Sequence, residues 1–467
     1  MGSLIGLLGL SRNALQADQS AINATANNIA NQNTAGYTRQ VVSFTATDTV
    51  SLSGGSATGT WVSESATSQR SRVLEQRLQQ ATSTSSAATS RLAALQSVEA
   101  SFDMSATGSN ASSTELGSAL DGFFSSLTAL SANPSDTATR SAVLSAASTL
   151  ATAFNDAADS ITDETATLNS GIKTAANQID ALTSQIATLN GEITSQNPDS
   201  DAGALEDQRQ QALQQLSQLV GVSTTTTESN GLTVTLANGT TLVSGKTSYS
   251  VSTTTVDGNA QLVAGQPPTI QSNITGGSIG GMLQARDSDL PGMLQQLDEL
   301  ANAVGTAVNT QNAAGVTAGG SAGAAIFSLP SSVSGSARGI SVALTTVDGI
   351  ATAGSGEGAQ GTTNALALGK LGSAAMVSGG TATDFYSSFI GQLGTVVSSA
   401  TTQESSSSAA LTQAQTQRDS LSAVSLDEEA TALTQYQRSY EAAAKLFSIV
   451  NQMLASAINL GTQTSVS

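Results

Sequence analysis

The stretch LSRNALQADQSAINATANNIANQNTAGYTRQ, Leu10 to Gln40, begins in one style and ends in another. Its first part continues an apolar ridge, Leu8, Leu15, Ile22 and Ile29 at intervals of seven, with Ala14, Ala21, Ala24 and Ala26 around it. That is the narrow seam of one helix of about 28 residues, roughly 42 Å long at ~1.5 Å per residue. Its last part, Asn27 to Gln40, holds four asparagines and a glycine, which suit neither a helix core nor a strand. Helix ends want them, because Asn and Gly tolerate the left-handed conformation and Asn side chains satisfy loose backbone groups. The reading is a helix that stops near Ala30 to Gln32, a turn at Gly36, and YTRQVVSF leaving extended.

The far end of the chain answers this helix. Leu426, Leu433, Tyr440, Phe447 and Leu454 repeat at seven, with Tyr436, Ala443, Val450 and Ala457 three residues further on. This predicts a second seam over about 34 residues. Ser425 followed by Glu428 reads as a capping box, and Asp427, Glu428 and Glu429 in the first turn suit the helix dipole.

Between the ends, LNSGIKTAANQIDALTSQIATLNGEI places Leu168, Ile172, Ala175, Ile179, Leu182, Ile186, Leu189 and Ile193 at alternating spacings of three and four. With Leu150, Phe154 and Ile161 upstream, one helix is predicted from Thr139 to Ser195. Further helices are expected at 70–102, 114–130, 204–220, 279–312 and 383–423, with Pro291 kinking or restarting the fourth. After Gly221 the texture turns to alternating Thr and Val, with Asn-Gly pairs at 230–231 and 238–239 that signal hairpins. Residues 222–274 therefore read as a β unit, and Ala325 to Asp348 as a second piece joining it.

The expected fold is mainly α with an inserted β domain. An elongated rod of long antiparallel helices is formed from both chain ends, with a β-rich knob in the middle. The boundaries are 1–35 with 426–467 for a terminal coiled coil, 36–221, 279–313 and 362–425 for a helical rod, and 222–278 with 314–361 for the knob.

Composition narrows the function classes. The 467 residues carry a net charge of −18, with only 3% aromatic and 11% charged residues, so cores must be thin Ala, Leu, Ile and Val seams. The acidic balance argues against nucleic acid as a partner, which calls for clustered Lys and Arg, and against an anionic membrane surface. The chain has no cysteine and no histidine, which removes disulfides, thiolate chemistry, the usual zinc sites and His-dependent triads. No metal, cofactor or catalytic group is expected. The start, MGSLIGLLGL, has no basic residue ahead of its apolar run and no small-residue cleavage site after it, so export without a cleaved signal peptide is the expectation.

Three lookalike motifs fail on spacing or context. GTTLVSGKT, Gly239 to Thr247, puts five residues between Gly239 and Gly245 where a phosphate-binding loop needs four, and it sits in a hairpin region. Gly356, Gly358 and Gly361 match GxGxxG with no strand ahead of them, and read as a return linker. Asp199 and Asp201 in NPDSDAG lack the later ligands of a calcium loop and read as a turn between helices.

The two ends together resemble the bacterial flagellar axial proteins, the rod, hook and hook-associated family. The carrying residues are Asn27, Asn28, Ile29, Ala30 and Asn31, then Thr34, Gly36 and Tyr37, with Arg39 and Gln40 completing GYTRQ. At the other end they are SLDEEA, including Asp427 and Glu428, and YEAAAK, Tyr440 to Lys445. The combination of GYTRQ, SLDEEA and LQARDSDLPGMLQQLDELA is similar to the hook-associated branch, with other axial types (hook, distal rod, flagellin-like) as the alternative.

The resemblance implies a non-enzymatic structural part of the bacterial flagellum joining hook to filament, outside the cell. Its implied partners are hook protein, the next hook-associated junction protein, and a cytosolic flagellar export chaperone that shields the closing helix. A solitary heptad seam leaves large side chains wet, and each buried Leu or Ile is worth ~1.5–3 kcal/mol. Leu8, Leu15, Ile22, Ile29, Leu426, Leu433, Tyr436, Tyr440, Phe447, Val450 and Leu454 are therefore expected to lie at interfaces, between the two ends and between copies in a helical assembly.

Overall fold

The computed structural model describes residues 2–34, 36–52, 55–62, 66–102, 115–195, 202–226, 230–358 and 360–463. The opening helix α1 (Gly2–Asn31) is followed by β1 (Gln40–Val41), a ribbon of β2 (Phe44–Leu52) and β3 (Gly55–Val62), and β4 (Thr67–Ser68), which returns to pair with β1. Four helices come next: α2 (Arg72–Ser101), α3 (Glu115–Ala132), α4 (Thr137–Ser195) and α5 (Gly203–Leu219).

The knob is a four-stranded antiparallel sheet of β5 (Val222–Thr226), β6 (Leu232–Leu236), β7 (Thr241–Ser244) and β8 (Thr247–Ser248). Beside it stands a three-stranded sheet of β9 (Ser252–Val256), β10 (Asn259–Ala264) and β11 (Thr269–Ile270). The chain returns through α6 (Gly277–Gln284), one π-helical turn at Ala285–Asp289, and α7 (Leu290–Ala314). Short β12 (Phe327–Ser328), α8 (Ser336–Gly339), β13 (Ser341–Val342) and α9 (Thr363–Gly369) lead into α10 (Ala382–Ser422) and the closing α11 (Leu426–Gln463).

The period read in α4 is the period it buries. Val143, Ala147, Leu150, Phe154, Ile161, Ile172, Ile179 and Ile186 are all within 1% of complete burial. At ~1.5 Å per residue its 59 residues run about 88 Å, long enough to serve two cores in succession. The first core gathers Phe123, Leu127, Phe154, Leu297, Val304 and Phe389 from α3, α4, α7 and α10. The second gathers Ile179, Ile186, Leu216, Val234, Leu242 and Leu262, tying the knob sheets to α4 and α5.

Two expectations need correction. Among the described residues, 314–361 share neither a sheet nor a core with 222–278: β12 and β13 pair with each other, and Ile326, Phe327 and Ile340 are buried in the first core. The reason lies on α7. Asn312 Nδ2 donates to the carbonyls of Ala324 (2.6 Å) and Gly349 (2.9 Å), and its Oδ1 accepts from the Ala351 amide. Asn309 and Asp298 serve Phe327, Ile326, Gly335 and Ala337 in the same way, so side chains of one helix satisfy this segment's backbone where strands were expected. The second correction is the β2–β3 ribbon, which lies inside the range 36–221 assigned to the helical rod. Its Thr-Val alternation around Gly54-Gly55 was the signal for it.

Pro291 restarts rather than kinks: it stands at the beginning of α7, just after the π-helical turn. The Asn-Gly pair at 238–239 makes the β6–β7 turn, with Gly239 at φ +89, and GTTLVSGKT is the β7–β8 hairpin. The turn holding Asp199 and Asp201 lies outside the described residues.

Asn312→Leu leaves two buried carbonyls and an amide unanswered. It should lower unfolding stability by about 2–5 kcal/mol, read as a lower urea midpoint at unchanged slope; an unmoved midpoint would refute the role given to this amide.

Candidate functional site

The asparagine-rich stretch builds its turn locally. Asn31 Nδ2 donates to Asn27 O (3.0 Å) as α1 ends, Thr34 N and Tyr37 N continue the turn onto Asn31 O and Thr34 O, and Gly36 sits at φ +81. A side chain at that φ is strained. Tyr37, Thr38, Arg39 and Gln40 then come back past the end of α1.

Asn28, 1% exposed, is the hub of the joint between the two chain ends. Its Nδ2 donates to Gln40 O (2.9 Å) and to Glu429 Oε2 (3.0 Å), while its Oδ1 accepts from Gln40 N (2.9 Å) and the Tyr37 hydroxyl (2.9 Å). All four hydrogen bonds of the amide are made. The other oxygen of Glu429, a residue 2% exposed in the first turn of α11, takes Arg39 Nε at 2.7 Å. Arg39 Nη1 reaches Glu428 Oε2 at 2.9 Å, and the hydrogen bonds among the described residues include none between Glu428 and Ser425 that would close the expected capping box. Asp427 stays exposed beside them.

The same loop is tied to the rod. Arg39 N donates to Ser422 O (2.9 Å) at the end of α10, and Thr38 donates through N and Oγ1 to Asp207 on α5. Arg70 bridges Asp207 and Glu206. Segments distant in sequence, the end of α1, the N-terminal part of α5 and the junction of α10 with α11, thus meet at one loop. Burial, then the negative charges of Asp207 and Glu429, push the Tyr37 hydroxyl up to about 12.

From this joint α1 and α11 run alongside each other. The residues of α1 that are fully covered are Ser11, Ala17, Asp18, Ala21, Ala24, Thr25 and Asn28, a line of small and polar side chains. The ridge of Leu8, Leu15, Ile22 and Ile29 flanks that line and stays half-buried. On α11, Val450 is buried, Leu433, Tyr436, Phe447 and Leu454 are half-buried, and Leu426 and Tyr440 are exposed. Tyr436 also meets Phe44 of the ribbon, ring centroids 5.9 Å apart.

Sequence reading missed two features here. Burial raises the Asp18 carboxyl, which is tempered by a hydrogen bond with Ser439. Leu446, Ile449 and Met453, 44–55% exposed, form a second apolar face about a third of a turn from the first. Their i, i+3, i+7 spacing was visible.

The described residues hold no group of His, Cys, Asp or Glu suited to a metal, and no helix long and apolar enough to cross a membrane. Around Gly356, Gly358 and Gly361 the chain supplies its own carboxylate: Glu357 accepts from the flanking amides Gly354 N (2.8 Å) and Thr363 N (3.2 Å), the latter at the start of α9.

Removing Arg39 strands a buried carboxylate. Arg39→Met should loosen the joint by about 3–5 kcal/mol, seen as faster amide exchange in the first turns of α11, and adding Glu429→Leu should restore most of the protection. Tyr37, raised above the ordinary value near 10, contributes stability that is complete below pH ~10 and lost as pH climbs toward 12. Tyr37→Phe should lack that part of the alkaline loss; a wild-type difference curve flat from pH 10 to 12 would contradict it.

Comparison with known proteins meets this geometry at both ends and in the middle. A flagella basal body rod protein model matches residues 9–38, a flagellar basal body rod FlgEFG C-terminal model matches 415–460, and the flagellar hook-associated protein FlgK helical domain matches 102–327. Flagellar hook-associated protein 1 of Escherichia coli (strain K12) is 30% identical over 69% of this chain and 60% of its own length. The protein of that name from Bacillus subtilis (strain 168) is 28% identical over 97% of each. The chain thus spans about 60% of the length of its enterobacterial relatives. The solved flagellar hook junction protein FlgK from Burkholderia pseudomallei shares the fold, with a TM-score of 0.65 over 74% of this chain and 100% of that one at 18% identity. The rod-type ends frame a helical middle particular to one branch, and the chain belongs to the flagellar hook-associated protein family.

Proposed function

We propose that this protein is a non-catalytic structural subunit that joins the flagellar hook to the filament and assembles through its terminal helices. The observation that carries the reading is the contrast between the two halves of the terminal pair. Its joint is closed by a fully satisfied buried network, while the pair beyond keeps large apolar side chains in water. A rigid base with a greasy, uncovered extension is suited to packing against further copies. Contacts of that kind, repeated without closure, generate a helical tube.

The ridge of Leu8, Leu15, Ile22 and Ile29, half-buried by α11, and the exposed Leu446, Ile449 and Met453 supply the surfaces for such packing. The neighbours in the reading are hook protein on one side and the next hook-associated protein on the other. A cytosolic chaperone covers the closing helix before export. The hook-associated middle segment favours this over another axial role such as hook, distal rod or flagellin.

The joint also bears on how the isolated molecule meets a protease. Arg39 is held by Glu428, Glu429 and Ser422, so trypsin should spare it and act first at exposed Arg438. In cells, deletion of 426–467 should leave hooks without filaments and flagellin in the medium; normal filaments would refute the assignment. A Leu446→Ser, Ile449→Ser, Met453→Ser triple variant should melt within a few degrees of wild type, since exposed positions contribute about 0.5 kcal/mol or less each. It should nonetheless fail to build filaments.

A further inference from the structure

The covered line of α1 contains a carboxylate that the seam with α11 does not answer. Asp18 is 7% exposed, between the fully covered Ala17 and Ala21. Ser439 of α11 hydrogen-bonds its carboxyl, but Oδ2 is shut from water without a hydrogen-bond partner. Glu429, at the base of the same helical pair, is the contrast: both its oxygens are taken, by Asn28 and Arg39.

No positive charge is placed to match Asp18. On α1 the positions one turn away, Ala14, Leu15, Ala21 and Ile22, are apolar, and Arg12, six residues back, lies about a third of a turn round the helix. Within two turns of Ser439, α11 carries Tyr436, Arg438, Tyr440, Glu441 and Lys445. Arg438 and Lys445 are exposed, and neither forms an ion pair with Asp18 among the described residues. Strands β1 and β3, which also lie against α1, contain no titratable residue, and β2 adds only a further acid, Asp48. The whole stretch from Gln40 to Gln69 lacks Lys and Arg, so no cation can come from the ribbon.

A carboxylate so placed favours its neutral form, because protonation removes the charge that burial penalises and turns an unanswered acceptor into a hydroxyl. Burial raises the Asp18 pKa, and the Ser439 hydrogen bond only tempers that. A carboxyl raised in the closed pair contributes stability that is complete below its unfolded value of about 4 and is lost as pH climbs through the raised folded value. The neighbours along the seam, Ala17, Ala21 and Ala24, are small, so few contacts there offset an ionised oxygen.

We propose that Asp18 is a pH-sensitive clasp on the terminal pair. Protonated, it lets α1 close on α11 along this stretch; ionised, it favours local separation there, while the Asn28, Glu429 and Arg39 joint keeps the base shut. The clasp is a property of the lone molecule and does not depend on its place between hook and filament.

The test is amide hydrogen exchange of the full-length protein, with wild type and Asp18→Ala compared at the same pH. At pH 7.5 the variant should exchange about tenfold more slowly over 14–25 and 435–446, the worth of one unmatched buried polar group. At pH 4.5, where wild-type Asp18 takes up its proton, the difference should shrink. Asp18→Asn, which keeps the shape without the charge, should show the same pH-dependent part. Exchange at pH 7.5 that is unchanged or faster in Asp18→Ala overturns the proposal, since the carboxylate would then support the seam. A slowing of equal size at both pH values also overturns it, because that is the helix propensity of alanine alone. So does a pH-dependent part that Asp18→Asn does not share.

Discussion

A carboxylate shut away from water must be answered, and Glu429 is answered by Asn28 and Arg39, residues 401 and 390 positions earlier in the chain. The rest of the architecture depends on this one requirement. Because the two ends are joined there, everything between them is an insertion into a single helical pair. Because Arg39 and Thr38 also hold Ser422 and Asp207, the pair leaves the rod at a set place. Double-sided pairing of a buried charge is worth more for specificity than for stability, since the attraction mainly offsets desolvation. Here it selects one mutual register of α1 and α11.

Rigidity elsewhere comes from length and from borrowed hydrogen bonds. α4 enters both cores, so the packing around Phe154 and that around Ile186 belong to one helix and cannot rotate freely against each other. Arg286, wholly buried, adds a polar tie where the π-helical turn aims it at Asn169 on α4 and the Ala260 carbonyl of β10. With few aromatics and many short polar residues, the chain builds solidity from seams and amide anchors rather than from large side chains.

The terminal pair is the opposite case. Its covered line on α1 is small and polar, its larger residues are only half-covered, and α11 carries a second apolar face, Leu446, Ile449 and Met453, about half of which is open to water. Marginal packing of this kind leaves helices that owe much of their stability to whatever comes to lie on them.

Much of the molecule was legible in the residues themselves. Heptad spacing is a local property, so α1, α4 and α11 could be drawn from it, and Asn-Gly and Gly36 announced turns because few residues accept those backbone angles. The segment 314–361 was not legible: whether its backbone would be satisfied by strands or by Asn309 and Asn312 depends on a helix that approaches only after folding. The β2–β3 ribbon left a faint alternation, and the Leu446, Ile449, Met453 face a plain one. By itself, then, the sequence determined which segments are helices, where they end and that both termini carry apolar stripes, since these rest on neighbours within a turn or two. Only the tertiary structure decided that α1 meets α11 along its small residues, leaving the Leu8 to Ile29 ridge half-covered. That choice turns on the buried Asn28–Glu429–Arg39 network, whose partners come together only in three dimensions.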